Sequence, residues 1–345
     1  MFDVLIIGAG SNGLAAASFL AEHKGIKAAI VEQFTVGHLA GSSHGKNRIS
    51  RLSYADPKYI HMMKRAQELW PIWEQNLGES LIQKQTGCFF GQGRRFRAFV
   101  ETILAYDLDV ELLETSAAQR EFPQFRFEQV ECVVKDQTGG LIAAEKTLLG
   151  LKKFALHHGI ELYEETQVTR IEPTAKMIKV MTSRGKLECR RLIVTAGPWV
   201  GKLLPQFNAI LTPVLQTVAY FEMPFQGGPH WASIGDEALF YGLPEENLMK
   251  ISEHRPQGKG DDPDERAADD QERLQLLETC VAKLFVQPGK LSRSESCFYT
   301  STKSEDFIIA PLPEEPRIIV GAACSGHGFK FAPLTGKTLV ELALI

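Results

Sequence analysis

The stretch of sequence that most constrains the fold lies at the start of the chain, between Phe2 and Glu32. An apolar run from Asp3 ends at Gly8 and predicts a buried strand. The sequence Gly-Ala-Gly-Ser-Asn-Gly follows, and an alanine- and leucine-rich segment then favours a helix. A second apolar run ends on Glu32, nineteen residues after Gly13. Strand, glycine turn, helix and acid therefore stand in the order and spacing of a dinucleotide-binding unit.

Each residue of this turn has a distinct predicted role. Gly8 permits the tight turn, Gly10 lets a pyrophosphate approach the backbone, and Gly13 lets the helix lie close to the strand. Ser11 lies in the turn before the helix predicted from Leu14, and the first amides and the dipole of that helix favour phosphate. Glu32 is expected to accept hydrogen bonds from ribose hydroxyls. These residues do not distinguish FAD from NAD, so both cofactors stay open at this point.

The composition argues against several other classes of protein. The chain has 345 residues, of which 44% are hydrophobic and 23% charged, and this predicts a globular protein of about two domains. A net charge of −4 argues against nucleic-acid and membrane-surface partners. No apolar run is long enough to span a bilayer, and the immediate first strand leads us to expect no signal peptide. Six cysteines lack metal-ligand spacing, so we expect no metal site and reduced thiols in a cytoplasmic protein.

The middle of the chain alternates between strands and helices. A glycine- and serine-rich polar segment carries His44, Arg48 and Arg51, and it fits either a solvent loop or a ligand-binding loop. Alternating residues predict antiparallel strands between 210 and 250, with Lys250 in a short strand, and the highly charged residues 255–273 predict a solvated, mobile loop. Periodicity predicts helices at 57–77, 144–157 and 271–285, and strands or strand-like pieces at 88–90, 97–100, 160–163, 167–170 and 190–194.

The last part of the sequence returns to a strand-and-turn pattern. Glycine-rich residues 324–330 follow the predicted strands at 297–300, 306–310 and 317–321, and Lys330 then starts a helix, an arrangement typical of a ligand-facing junction. We therefore predict an α/β fold with a Rossmann-like dinucleotide-binding domain and an inserted, mostly antiparallel substrate domain. The predicted bounds are 1–78, 140–212 and 305–345 for the first domain, and 79–139 and 213–304 for the second.

Three segments are specific enough to indicate a family. They are the Gly-Ser-Ser-His-Gly motif at 41–45 with Arg-Ile-Ser-Arg at 48–51, the segment 297–309, and Ser-Gly-His-Gly-Phe-Lys-Phe at 325–331. With the N-terminal turn, they resemble the monomeric sarcosine oxidase and N-methyltryptophan oxidase family of D-amino-acid-oxidase-like flavoproteins. The resemblance covers nearly the whole chain. It implies FAD as the cofactor and a small secondary amine and O2 as substrates. The amine is oxidised to an imine, which is then hydrolysed, and O2 is reduced to hydrogen peroxide.

The resemblance also implies roles for individual residues. Cys297 stands where the family has the cysteine that joins the 8α-methyl of the flavin, although a lone cysteine is otherwise a small buried thiol. Arg51 and Lys330 match the pair that binds the substrate carboxylate and orients the amine for hydride transfer, the alternative being two surface cations. Lys250 matches the lysine whose charge promotes reaction with O2, the alternative being a strand lysine that faces solvent.

The remaining implied contacts divide between the substrate and the two ends of FAD. Tyr241, His254 and Tyr299 match residues that line the substrate pocket. Residues near the flavin are implied at Ser42, His44, Arg48, Gly326, His327 and Gly328, and on the adenine side at Glu32, Val168, Ala196 and Gly197, the last two within the turn that starts at Thr195. No residue is implied as a strong base, because the amine can bind in its neutral form.

Three functions stay open on the sequence. The first is oxidation of sarcosine or another N-methyl amino acid, and the second is an FAD dehydrogenase or oxidase for a larger or cyclic amine, because residues 260–270 depart from the family near the entrance. The third is a flavin-binding protein without catalysis, because the sequence stops at Ile345 where family members continue. An NAD dehydrogenase would leave the segments around Cys297 and Lys330 without a role. Family members are often monomeric, and a monomer is therefore expected.

Overall fold

The computed structural model describes residues 1–225, 227–265 and 270–345. Its strands in chain order are β1 (Phe2–Ile7), β2 (Ala28–Val31), β3 (Asn47–Ser50), β4 (Ile82–Lys84), β5 (Gly87–Gly91), β6 (Val110–Leu113), β7 (Cys132–Asp136), β8 (Gly140–Ala143), β9 (Glu161–Tyr163), β10 (Val168–Pro173), β11 (Ile178–Thr182), β12 (Gly185–Val194), β13 (Thr212–Glu222), β14 (His230–Ile234), β15 (Leu239–Glu245), β16 (Leu248–Glu253), β17 (Lys290–Ser301), β18 (Ile308–Pro311) and β19 (Ile318–Ala322). The helices are α1 (Ser11–Leu20), α2 (Pro57–Leu77), α3 (Arg94–Ala105), α4 (Thr115–Glu121), α5 (Ala144–His157), α6 (Val200–Leu203), α7 (Gln271–Leu284) and α8 (Ala332–Ala343), and a short 3-10 turn, Phe329–Phe331, precedes α8.

The first sheet is organised around the N-terminal strand. Strand β1 pairs in parallel with β2 on one side and with β12 on the other, and β9 extends the parallel pairing beyond β2. The carboxyl end of the long strand β12 also pairs in parallel with β19, while its first half pairs with the antiparallel β11, which pairs in turn with β10. Apolar clusters cover both faces of β1, since Val4 and Ile6 belong to one cluster and Leu5 and Ile7 to the other. A strand buried on both faces explains the continuous apolar run at the start of the sequence.

The glycine turn after β1 has the close packing that its sequence predicts. Gly8 has a φ of +93°, and a Cβ there would lie 2.5 Å from the carbonyl oxygen of Thr195 at the end of β12. A Cβ at Gly13 would lie 1.8 Å from the carbonyl oxygen of Gly8. Any larger side chain at Gly13 would therefore push α1 away from the turn.

The second sheet is mostly antiparallel and contains the order β17-β13-β16-β15-β14-β5-β7-β6, in which β14 and β5 form a parallel pair. One of its faces packs against α7 through a cluster that includes Trp231, Phe125 and Phe285. A third, small sheet has the order β3-β8-β4. The molecule is thus an α/β protein with a Rossmann-like sheet and a mostly antiparallel one, which confirms the predicted fold class.

One local prediction was wrong. Residues 97–100 were expected to be strand-like, but they lie inside α3. Phe96, Phe99 and Ile103 are buried in that helix at a spacing of three and four residues, so the apolar residues follow a helical rather than a strand period. The predicted loop at 255–273 is partly replaced by α7, which begins at Gln271, and residues 266–269 of it lie outside the described part of the chain.

In the three described ranges, no helix combines the length and the apolar character that crossing a membrane requires.

Candidate active site

A cavity of about 580 Å³ joins the glycine turn after β1 to the antiparallel sheet. Every predicted site residue except Gly13 lines it, and Gly13 instead lies beneath the turn. At one end are the predicted adenine-side residues Gly8, Gly10, Ser11, Glu32, Val168, Ala196 and Gly197. The cavity is therefore continuous from the predicted dinucleotide site to the predicted substrate residues, as a cofactor with its reactive ring at the far end requires.

The dinucleotide end offers backbone donors to phosphate. Helix α1 starts after Gly10 without a side-chain cap, so its first amides face this end of the cavity with few competing acceptors. The Ser43 hydroxyl lies 3.1 Å from the Ser11 amide, which is the contact that brings the loop after β2 to the turn. Glu32 is buried and accepts hydrogen bonds from the amides of Ala9 at 2.7 Å and Phe34 at 3.0 Å. These features fit the phosphates and ribose of a dinucleotide.

The predicted flavin segment is held against strand β17 by side-chain hydrogen bonds. The Ser42 hydroxyl donates to the carbonyl of Phe298 at 2.5 Å, next to Cys297. Arg48 donates to three backbone carbonyls, those of Asn47 at 2.9 Å, Ser42 at 3.1 Å and His44 at 2.5 Å. The charge of Arg48 thus orders the loop before β3. It also brings His44 and Arg48 to the part of the cavity lined by Cys297, Gly326 and Gly328.

Lys250 lies in the cavity wall on β16 and is only 7% exposed. It pairs across the sheet with Tyr220 of β13, and its Nζ lies 5.4 Å from the centre of that ring. The Lys250 Nζ also donates to the carboxylate of Glu295 at 3.4 Å. Burial lowers the pKa of Lys250 and the nearby Arg48 lowers it further, whereas Glu295 opposes both effects.

Arg51 and Lys330 both contact Tyr54. The Arg51 guanidinium lies 4.5 Å from the centre of the Tyr54 ring, and the Lys330 Nζ donates to the Tyr54 hydroxyl at 3.0 Å and to the carbonyl of His327 at 3.2 Å. Burial, followed by the charges of Arg51 and Arg48, holds the pKa of Lys330 well below its usual value. Neither Arg51 nor Lys330 forms an ion pair with a carboxylate in the part of the chain that the structure describes. The two cations therefore form a site that favours an anion.

A group of polar and aromatic side chains lines the same cavity as this pair of cations. The hydroxyls of Tyr241 and Tyr299 lie 3.1 Å apart, and the Tyr299 ring lies 5.6 Å from that of His254. The Nε2 of His254 lies 3.0 Å from a carboxylate oxygen of Glu305, whose pKa is lowered by that hydrogen bond. Burial raises the pKa of both tyrosines, so both hydroxyls stay protonated at neutral pH and can donate hydrogen bonds to a ligand.

Sequence reasoning missed two residues of this site. Tyr54 follows Arg51 by three residues in the sequence and contacts both cations. Glu295 stands two residues before Cys297 on β17, so the two side chains share one face of the strand. That spacing was readable from the sequence and could have drawn attention to Glu295.

The comparisons with known proteins agree with this geometry. A family model described as FAD dependent oxidoreductase matches residues 3–342. The peroxisomal sarcosine oxidase of Homo sapiens is 31% identical over 371 residues, covering 100% of this chain and 92% of that protein. The monomeric sarcosine oxidase of Arthrobacter sp. (strain TE1826) is 30% identical over 364 residues, covering 99% and 92%. The open form of NikD, described as an unusual amino acid oxidase essential for nikkomycin biosynthesis, has a TM-score of 0.88 and 22% identity, covering 99% of this chain and 94% of that one, which shows a shared fold.

Proposed function

Because the chain belongs to the family of FAD-dependent oxidoreductases and is an amine oxidoreductase of that family, we propose that it oxidises sarcosine or another N-methyl amino acid with O2. The products are an imine, which water converts into an amine and an aldehyde, and hydrogen peroxide. Bound FAD would supply the redox chemistry, a two-electron oxidation of the amine with O2 as the final acceptor. The residues of this chain then have to bind, orient and shield the substrate.

The observation that carries the proposal is the pair of cations without a carboxylate partner. Arg51 and Lys330 line the cavity, both contact Tyr54, and form no ion pair with an acid among the described residues. A buried ammonium and a guanidinium that share a cavity are stabilised by an anion placed between them. The carboxylate of an amino acid supplies that anion, and its binding would place the adjacent amine and C–H bond at a fixed distance from the cations.

Other residues that line the cavity suit the neutral part of such a substrate. Tyr241, Tyr299 and His254 line the cavity together, and Phe89 and Leu239 add apolar surface to it. A wall of this kind excludes water and confines the amine and its N-alkyl group. We assign none of these residues as a base, since an amine that binds in its neutral form needs no proton removed before hydride transfer.

The apolar surface of Phe89 and Leu239 supports one alternative. An FAD oxidase or dehydrogenase for a larger or cyclic amine would use this apolar lining for the substrate side chain. That alternative shares the carboxylate site, so it differs from the first proposal only in the preferred amine and the electron acceptor.

Activity with a panel of amines tests the proposal. Purified holoprotein is mixed with sarcosine, proline, pipecolate or N-methyltryptophan, and peroxide formation and anaerobic loss of flavin absorbance are recorded. We expect peroxide with sarcosine or a close N-methyl relative. Peroxide with a cyclic or bulky amine alone would favour the alternative, and reduction without peroxide would indicate a dehydrogenase. Absence of flavin reduction by every amine would contradict an amine oxidase.

We further propose that Cys297 holds the flavin covalently. Cys297 lies on β17, lines the cavity beside the Ser42 to Phe298 contact, and faces the same space as Lys250. After acid precipitation of the protein, we expect the yellow colour to stay with the pellet. The variant Cys297→Ser should release it into the supernatant, because a hydroxyl is a much weaker nucleophile than a thiolate. Flavin in the supernatant of the unmodified protein would contradict the linkage.

The division of the chain is part of the same proposal. We assign residues 1–78, 140–212 and 305–345 to FAD binding and residues 79–139 and 213–304 to the substrate, supported by the separate sheets that most of these segments build.

We also propose a monomer, in line with the printed name of the Arthrobacter relative. A cytoplasmic location is supported by six cysteines that form no disulfide in the described chain. Sedimentation and cell fractionation test these two statements.

A further inference from the structure

Lys250 belongs to a row of side chains on the cavity face of the antiparallel sheet. Cross-strand pairing aligns Lys250 on β16 with Tyr220 on β13, and Tyr220 in turn with Arg293 on β17. Directly paired residues project from the same face of a sheet. Glu295, two residues after Arg293 on β17, projects from this face as well. The row therefore extends from the cavity, where Lys250 is 7% exposed, towards the half-exposed Arg293.

Glu295 is held in this row by hydrogen bonds. The Tyr220 hydroxyl donates to Glu295 Oε1 at 2.5 Å, and the Lys250 Nζ donates to the same oxygen at 3.4 Å. Arg293 reaches the other carboxylate oxygen at 3.3 Å. Burial opposes ionisation of Glu295, but the Tyr220 hydrogen bond and the Lys250 charge outweigh it and hold the pKa of Glu295 below its usual value. Glu295 therefore carries a negative charge at neutral pH.

Other groups that face Lys250 act in both directions. Arg48 on β3 disfavours its charge, whereas Glu245 on β15 and Cys297 on β17 favour it. Glu245 is itself buried, and burial raises its pKa, so its negative charge is less secure than that of Glu295. His44, in the loop before β3, favours the negative charge of Glu295. Glu295 is thus the one of these acids that both contacts the Lys250 ammonium and stays ionised.

We propose that Glu295 is a positioning residue that keeps Lys250 charged in the cavity, so that Lys250 can assist electron transfer to O2. The inference rests on the proposed function in one respect, the role of Lys250 towards O2. In that step two electrons and two protons pass from the reduced flavin to O2, which gives oxidised flavin and hydrogen peroxide. In this proposal Glu295 contacts neither the flavin nor O2 and acts only through Lys250.

A lysine is charged below its pKa, so the assistance should be complete at low pH and fall as pH rises through that value. Burial and the charge of Arg48 lower the pKa of Lys250, and the charge of Glu295 raises it. In the variant Glu295→Gln the raising effect is lost. We expect the pKa of Lys250 to fall by about 1 to 3 units, the usual effect of an opposite charge in contact. The pH at which reoxidation slows should fall by the same interval, while the rate at low pH stays that of the unmodified protein.

Two measurements on the holoprotein test this inference without an amine substrate. The first follows the 13Cε signal of Lys250 by NMR from low to high pH, with the signal assigned by its loss in Lys250→Met. The second reduces the flavin with light and EDTA, mixes the protein with O2, and records the second-order rate constant at each pH. The variants are Glu295→Gln, Glu295→Asp, Lys250→Met and the Glu295→Gln Lys250→Met double variant. Glu295→Asp keeps the charge but moves the carboxylate away from Lys250, so it should give a smaller shift in the same direction. It provides the test if Glu295→Gln does not fold.

The control is Glu253→Gln, which breaks the 3.0 Å ion pair with Arg273 at the other end of β16. It should change neither the NMR titration nor the pH profile. An unshifted Lys250 titration and an unshifted profile in both Glu295 variants would overturn the inference. A further slowing in the double variant beyond Lys250→Met would also overturn it, because Glu295 would then act by another route. The proposed function fails separately, by absence of flavin reduction with every amine.

Discussion

Replacement of Lys250 by methionine is expected to slow reoxidation of the reduced flavin about 100- to 1000-fold, the usual effect of removing one electrostatic stabiliser. Anaerobic reduction by the amine should stay close to the rate of the unmodified protein. Lys250 is 7% exposed, so its charge acts through a medium poor in water, where it stabilises the negative charge that develops on O2. Methionine keeps much of the length of the side chain and removes only the charge. Stopped-flow absorbance measures the two half-reactions separately.

The matched control removes a lysine that is exposed. Lys46 is half exposed and pairs with Glu246, so Lys46→Met also deletes one positive charge near this end of β16. It should leave both half-reactions unchanged, because solvent screens an exposed charge. Reoxidation of Lys250→Met at the rate of the unmodified protein would remove the assignment of Lys250 to O2.

The contacts of the other cations in the cavity explain why Lys250 is the one assigned to O2. Arg48 donates to three backbone carbonyls and orders the loop before β3. Arg51 and Lys330 converge on Tyr54 and form a site for an anion. Lys250 stands apart from that pair and has Glu295 as its partner. A cation balanced by a protein carboxylate can stay charged whether or not a substrate carboxylate is present, and it is therefore suited to a step that follows departure of the product.

The parts of the fold that were predictable from sequence are those encoded locally. A short run of residues at the start of the chain predicts the buried strand β1, the turn from Gly8 and the helix α1. Its periodicity and glycine spacing fit only this arrangement. The prediction for residues 97–100 failed because a window of four residues, three of them apolar, fits both a strand and a helix. Only the wider set Phe96, Phe99 and Ile103 has the helical spacing that the structure contains.

The candidate site divides in the same way. Arg51, Cys297 and Lys330 lie in segments with a characteristic local sequence, so their residue numbers could be proposed before any contact was known. The contacts of Lys250 could not be predicted, because Tyr220 and Glu295 lie on strands that are distant from it in the sequence. Glu295 is 45 residues from Lys250, and the pairing of β13 between β16 and β17 is what brings them together. The pairing of strands that are distant in the sequence is a tertiary property, and local sequence patterns do not reveal it.

Replacement of Arg51 by alanine is expected to lower kcat/KM for an amino-acid substrate about 10- to 100-fold, mainly through KM, since a hydrogen bond to a charged group contributes about 1.5 to 3 kcal/mol. The Arg51 guanidinium lies 4.5 Å from the Tyr54 ring and 5.3 Å from the Phe89 ring, so two aromatic faces hold it in position for a carboxylate. The matched substrates are sarcosine and its uncharged methyl ester. Steady-state kinetics with both, in the unmodified protein and in the variant, measures the contribution of the carboxylate contact.

The ester lacks the anion, so Arg51→Ala should change its KM little. The variant Arg51→Lys restores a charge without the two-pronged geometry of a guanidinium, and it should recover only part of the sarcosine affinity. Lys330 still offers its ammonium in both variants, held by Tyr54 at 3.0 Å, so binding should weaken rather than vanish. Equal losses with sarcosine and its ester would mean that Arg51 acts on the shape of the cavity and not on the carboxylate. Because Arg51 and Lys330 share Tyr54, the double variant Arg51→Ala Lys330→Met should lose less than the sum of the single changes in free energy if the two cations bind one carboxylate as a unit.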